Sequence, residues 1–225
     1  MSEKSSTRRR YDATLRRERA AQTRVAIIEA AARQFLANGY AGATIPAIAA
    51  SAGVAVETVY RSAAGKAGLL EAAVQAALAG GVDRSVVPVE ERPGIRRVIE
   101  EQDPRRQLEA YVATQPGVWR RVGPLLRVLD EAAASDPVLQ KLREQHAAQR
   151  RQGLQAFASL LRERRALRED VSADRAADIL WALCAQANYE ALVNYLGWSD
   201  TEYKAWLSGQ LMHALLRETT GAGSD

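Results

Sequence analysis

Residues 43–66 read Ala-Thr-Ile-Pro-Ala-Ile-Ala-Ala-Ser-Ala-Gly-Val-Ala-Val-Glu-Thr-Val-Tyr-Arg-Ser-Ala-Ala-Gly-Lys. The pattern predicts two short helices joined by a tight turn. Thr44 stands where an N-cap belongs, since its hydroxyl can accept from a backbone N–H one turn on. Pro46 follows in the first helical turn, where a missing N–H costs nothing. Ile45, Ile48, Ala49 and Ala52 then recur at helical spacing. Gly53 breaks the run, as a residue that adopts positive φ cheaply would. A second helix is expected from about Ala55, carrying Val56, Glu57, Thr58, Val59, Tyr60 and Arg61. Apolar helix, turn glycine, then a polar, aromatic and basic helix is the order of a helix-turn-helix.

In such a motif the first helix braces and the second enters the DNA major groove. Thr58 and Tyr60 offer hydroxyls to phosphates, Arg61 can reach a phosphate or a guanine edge, and Glu57 can accept from cytosine N4. Gly65-Lys66 is expected to open the next helix, where free N–H groups and a cation both favour phosphate. The candidate DNA-contacting set is therefore Thr44, Ala55, Val56, Glu57, Thr58, Tyr60, Arg61 and Lys66. The competing reading of the stretch alone is an alanine-rich helical hairpin with no partner.

Phe35-Leu36-Ala37-Asn38-Gly39-Tyr40, Thr44-Ile45, Ile48-Ala49, Ala52-Gly53-Val54 and Thr58-Val59-Tyr60-Arg61 stand in that order over about forty residues. This order closely resembles the DNA-binding domain of the TetR family, the tetracycline-repressor-type transcriptional regulators. The resemblance implies an all-α homodimer. It also implies a variable C-terminal domain that binds a small molecule and thereby releases DNA, and a dimer interface formed by the last two helices. One departure stands out: the family often places an aromatic or His-Phe pair after the tyrosine, and here Arg61-Ser62-Ala63-Ala64 leads to Gly65-Lys66.

Charge supports a polyanion partner for the head. Residues 1–70 hold 11 Lys and Arg against five Asp and Glu, whereas the remainder holds 20 against 22. A basic head on a mildly acidic body is the footprint expected of nucleic-acid binding. Arg8, Arg9 and Arg10 belong to a flexible basic arm over 1–18, a candidate for phosphate or minor-groove contact or else a solvated tail. The 225 residues are rich in good helix formers and poor in β-branched runs. Cys184 is the single cysteine, which excludes a disulfide framework and a cysteine-based zinc site and suits a reducing cytoplasm. No apolar run reaches the roughly 18 residues of a membrane span.

The expected fold is all-α: a three-helix helix-turn-helix head over 19–80 and a helical-bundle ligand and dimerisation domain over 81–225. The first helix is expected over 19–38, with Val25, Ile28, Ala32, Phe35 and Leu36 as its apolar face and Asn38-Gly39 as its end. A linking helix over 66–78 stops at Gly80-Gly81. In the body, Asp103-Pro104 and Asp136-Pro137 read as cap-then-proline helix starts. Pro116-Gly117 is expected to interrupt the first of these helices, and the second runs to about 165. Ser172 caps a helix to 196, and Ser199 begins the last.

Two features of the body suggest sites. On the long helix, Leu139, Leu142, His146, Gln149, Gly153, Ala156 and Leu160 make a stripe that is apolar at its ends and polar in its middle. It suggests a cavity, with an interhelical polar contact or a turn to solvent as alternatives. With the aromatic residues, the candidate pocket is Tyr111, Trp119, Leu126, His146, Gln149, Trp181, Cys184 and Asn188, and it favours an apolar or aromatic effector. Secondly, Leu183, Ala187, Ala191, Leu207, Leu211 and Leu215 are candidates for a homodimer interface, because helices apolar all round must be buried somewhere.

No hydrolase elbow, metalloprotease helix or phosphate-binding loop is present, and the sequence carries no enzyme, metal or cofactor signature. The expected function is a ligand-responsive regulator, a repressor, that binds a palindromic operator as a homodimer and is released by a small-molecule effector. The alternative is a ligand-independent architectural DNA-binding protein; an α-helical enzyme using His146 is a weaker third.

Overall fold

In the computed structural model, which describes residues 3–217 and side chains from Arg16 onward, Thr44 caps a helix as its position predicts. Its Oγ1 accepts from the Ala47 N–H at 3.2 Å. Helix α1 spans Glu3–Gly42, α2 Ile45–Ala52, α3 Val56–Ser62 and α4 Gly65–Ala79. After two 3₁₀ turns come α5 Pro93–Glu100, α6 Pro104–Ala133, α7 Pro137–Glu163, α8 Ala173–Leu183, α9 Gln186–Tyr189, a π turn over Glu190–Tyr195, and α10 Asp200–Leu215. The fold is all-α; the pairing of Leu167 with Leu216 is a lone β-bridge. No helix among the described residues is long and apolar enough to cross a membrane.

Two compact units divide the chain. The first comprises everything described up to Val86 together with Pro124–Gln140; the second comprises Val87–Gly123 and everything described from Lys141 onward.

In the first unit, α1 begins at Glu3 rather than near Arg19, so backbone expected to be a flexible arm is helical. The side chains of Arg8, Arg9 and Arg10 lie outside the described residues. Gly39, with φ 66°, breaks α1 where Asn38-Gly39 predicts its end. The buried face of α1 is Ile27, Ile28, Ala30, Ala31 and Phe35. Leu36, expected inside, is 50% exposed, and Val25 and Ala32 are only half-buried. The face is turned because Ile27 and Ala31 continue the stripe through Phe35 at i+4 steps, which leaves Leu36 beside it. Ile45, Ile48, Ala49, Val59, Leu69, Leu70, Ala73 and Val74 complete this core.

Helix α6, which belongs to the second unit up to Gly123 and to the first from Pro124 on, runs unbroken through Pro116 and Gly117, which were expected to divide it. Each interior proline removes one backbone bond. Here Val112, Trp119, Val122, Leu125 and Leu129 are buried along the same helix on both sides of the proline, and packing holds it together. Asp136 caps α7, its Oδ1 accepting from the Val138 N–H at 2.9 Å. The helix expected from Ser172 to 196 is instead split at Cys184-Ala185. Ser199 and Glu202 form a capping box at the start of α10. That helix turns Tyr203, Leu207, Leu211 and Leu215 inward, each fully buried.

Candidate functional site

The turn between α2 and α3 follows its sequence. Gly53 adopts φ 67° and ψ 34°, and its N–H returns to the carbonyls of Ala49 and Ala50. Val54 N–H bonds Ala49 O at 3.0 Å, which fixes the angle at which α3 leaves. Val59 is the inward anchor of α3, only 1% exposed. The opposite face shows Ala55, Glu57, Tyr60 and Arg61 to solvent, with Val56 and Thr58 half-buried at its edge. Tyr60 is 60% exposed, a large ring with no intramolecular packing reason to stand there. Arg61 Nη2 donates to Thr58 Oγ1 at 3.3 Å, so the two form one polar patch. Thr44 is exposed, and its hydroxyl proton remains available after the oxygen has accepted from Ala47.

Two basic residues hold this face in place. Arg24 of α1 donates to Ser62 O at 2.8 Å and ties down the end of α3, a role with no signal in the helix periodicity. Lys66 was expected to point at phosphate. Its Nζ instead donates to Ala43 O at 3.0 Å and lies 4.4 Å over the Tyr40 ring, which itself stacks on Phe35. The corner where Arg61-Ser62-Ala63-Ala64 replaces an aromatic pair is thus closed by these two side chains. Lys66→Met is expected to lower stability by about 1–2 kcal/mol through the lost charged hydrogen bond and cation–π contact. Urea unfolding measures it, and a change below about 0.5 kcal/mol would remove Lys66 from this role.

The candidate pocket residues fall in different places. Gln149 is exposed, as are Gly153 and Ala156, so the middle of the predicted stripe faces water. The inward face of α7 continues from the half-buried His146 in steps of four, to Arg150, Leu154, Ala158 and, three further, Leu161. Leu126 is half-buried on the part of α6 that belongs to the first unit. Asn188 is a local cap: its Nδ2 donates to Ala182 O at 2.8 Å and Leu183 O at 2.9 Å, satisfying the end of α8.

Tyr111, Trp119, Trp181 and Cys184 do come together, around Arg150. The guanidinium lies 4.2 Å from the Trp181 ring centre and 5.7 Å from that of Trp119. Its Nη2 donates to Trp181 O at 3.1 Å and Cys184 O at 2.9 Å, carbonyls freed by the break after α8. Tyr111 packs on Phe157, with centroids 4.8 Å apart. Burial pulls the Arg150 guanidinium below its ordinary value, against Tyr111, Cys184 and Tyr203, which pull it up. Burial likewise pushes the Cys184 thiol up to about 12, and raises the phenols of Tyr111 and Tyr203. Sequence reasoning missed Arg150 because arginine on a helix is ordinarily read as solvated; its i+4 step from His146 was the available signal.

These three acids are neutral in the fold and ionise more easily when unfolded. Their raised values add stability that is fully present below about pH 9, where the unfolded thiol starts to titrate, and is lost as pH rises toward 12. The urea midpoint is expected to fall steadily between about pH 9 and pH 11, and Cys184→Ala should flatten the first part of that fall.

The interface candidates also separate. Leu207, Leu211 and Leu215 are fully buried in their own chain's core and are corrected to that role: they form one i+4 stripe with Tyr203 and cannot also face a second chain. Leu183 is half-buried, and Ala187 and Ala191 are exposed.

Residues 27–73 match the family described as bacterial regulatory proteins, tetR family. No curated relative matches the chain by sequence. Among solved structures it resembles a TetR-family transcriptional regulator from Mesorhizobium loti MAFF303099, with a TM-score of 0.66, 19% identity, and 87% of this chain and 96% of that one covered. It also resembles NalD, the secondary repressor of the MexAB-OprM multidrug efflux pump in Pseudomonas aeruginosa (TM-score 0.65, 22% identity, 87% and 97% covered). A third is a transcriptional regulator from Saccharomonospora viridis in complex with choline (TM-score 0.65, 21% identity, 87% and 98% covered). Residues 27–73 therefore match the family of bacterial regulatory proteins, tetR family, and the chain around them shares the fold of these solved transcriptional regulators.

Proposed function

We propose that this protein is a repressor that binds a palindromic operator as a homodimer and is released from it by a small-molecule effector. The observation that carries the DNA half is the solvent face of α3, with Glu57, Tyr60 and Arg61 outward on a helix anchored by Val59 and braced by α2. Ala55, Val56 and Thr58 border that face, Thr44 can donate to a phosphate at the start of α2, and Lys66 keeps one N–H beyond its two carbonyls. The effector half is supported by the aromatic cluster around Arg150 and by the choline found in one structural neighbour. The self-association half is supported by exposed Ala187 and Ala191 beside Tyr195 and Leu196, which are 87% and 60% exposed.

Two recognition helices of a dimer would meet half-sites about 34–36 Å apart. The effector must bind the DNA-free state more tightly, since only differential affinity can shift the equilibrium. The test is a gel shift on the DNA upstream of the protein's own gene, with competitor DNA and graded salt. A competitor-resistant complex of two protomers per site is expected. Weak, sequence-blind binding lost at moderate salt would overturn the operator reading and favour an architectural role.

A further inference from the structure

We propose that the effector of this chain is an aromatic carboxylate, and that Arg150, between Trp119 and Trp181, is the group that binds its anion. The inference rests on the reading of the second unit as an effector-binding domain and adds the chemistry of the ligand.

The cluster holds a cation and unpaired buried polar groups, with no carboxylate among the groups that act on the cation. Trp119 is 7% exposed and its Nε1–H, which can only donate, has no partner. Tyr203 is fully buried and its hydroxyl is likewise unpartnered. Arg150 brings a positive charge among these groups, and those that act on it electrostatically are Tyr111, Cys184 and Tyr203, none of them a carboxylate. Buried polar groups are ordinarily satisfied, and a half-buried cation is ordinarily paired. A ligand carboxylate supplies both missing features: a negative charge for the guanidinium fork and oxygen acceptors for the donors around it. The flat faces of Trp119 and Trp181, over which the guanidinium now lies, favour a planar ring attached to that carboxylate. Tyr111, Arg150 and Trp181 are each half-buried, so the cluster reaches the surface.

The same geometry argues against a cationic effector. The neighbour from Saccharomonospora viridis holds choline, but here the protein's own cation already lies over both indoles. A second positive charge would meet like charge at close range. Binding an anion also has a structural consequence. Arg150 presently satisfies the carbonyls of Trp181 and Cys184 at the break after α8. A carboxylate that draws its N–H groups away loosens that break, immediately before the exposed residues Ala187 and Ala191.

The test uses the full chain and three probe series: benzoate, phenylacetate and 1-naphthoate; their uncharged amides; and benzyltrimethylammonium with choline. Tryptophan emission reads binding, because all four tryptophans lie in the second unit. Operator release is read separately by gel shift. At least one acid is expected to bind below about 1 mM, with its amide at least about tenfold weaker. Arg150→Gln should abolish that preference, and Arg150→Lys should keep part of it, since the charge remains without the fork. Trp119→Phe retains the ring without the N–H; it should weaken the acid about threefold to tenfold and leave the amide unchanged. Far-UV circular dichroism checks that each variant is folded. An amide or ammonium that binds as tightly as the acid, no acid binding below 1 mM, or a preference that survives in Arg150→Gln would overturn the inference. If a neutral or cationic probe releases the operator, the regulator reading stands and this inference fails; if the wild-type protein binds no operator, the regulator reading fails whatever the titrations give.

Discussion

Phe35→Ala is expected to cost about 3–5 kcal/mol, enough to unfold much of the head at ambient temperature. Phe35 is fully buried on α1, and its ring stacks on Tyr40 with centroids 5.8 Å apart and planes 16° apart. Alanine would remove that contact and leave a cavity among residues that cannot all move in. Ile27, Ile48, Val59 and Leu69 are also fully buried or nearly so. The effect should pass to function through Tyr40, because Lys66 lies on the same ring and holds the Ala43 carbonyl. Circular dichroism in urea measures the stability, and operator binding should fall with it. Tryptophan emission is a useful contrast, since no tryptophan lies in the first unit. A loss under about 1 kcal/mol would mean the site collapses around the smaller side chain.

The head was legible because its signals are local. Thr44 caps within one turn, Gly53 supplies the positive φ of the turn, and Val59 lies at helical spacing from its neighbours. Each is a short-range consequence of one residue type. The errors there concern rotation and contact. Ile27 and Ala31 pull the face of α1 away from Leu36, and Lys66 turns inward to carbonyls 23 and 25 residues earlier in the chain. Sequence spacing carries no information about either.

The body was less legible because its decisive contacts are long-range. A proline in a helical pattern ordinarily ends the helix, yet α6 passes through Pro116, with buried side chains on both sides to hold it. Nothing in the run from Ser172 to 196 marks a break at Cys184-Ala185. The break is stabilised by Arg150, more than thirty residues earlier, and by Asn188 folding back on Ala182 and Leu183. The pocket stripe failed at a single choice: a step of three from His146 gives Gln149, which is exposed, and a step of four gives Arg150. Tyr111, Trp119, Trp181 and Cys184 do lie together around Arg150, because aromatic and sulfur side chains at helical spacing seek burial wherever the backbone goes.

The double variant Tyr60→Ala, Arg61→Ala is expected to weaken operator binding by at least about 100-fold while leaving stability within about 0.5 kcal/mol of the parent. Both side chains are exposed, so neither removal opens a cavity. Arg61 loses only a 3.3 Å bond to Thr58 of its own helix. If α3 is the recognition helix as proposed, a side chain that contributes little to folding and stands on its outward face is expected to act in the complex. The single variants divide the loss by chemistry. If Arg61 meets a phosphate, Arg61→Ala should weaken all sequences alike and lower the salt slope by about one; if it meets a guanine edge, it should relax specificity at one base pair and cost about 1–3 kcal/mol. Tyr60→Phe isolates the hydroxyl from the ring. A double variant that binds the operator as the parent does would remove α3 from the interface, because it deletes two of the exposed polar side chains of that face. Lys66→Met, with its expected loss of stability, is the complementary control: it weakens the frame that presents the helix, whereas the double variant strips the helix and leaves the frame intact.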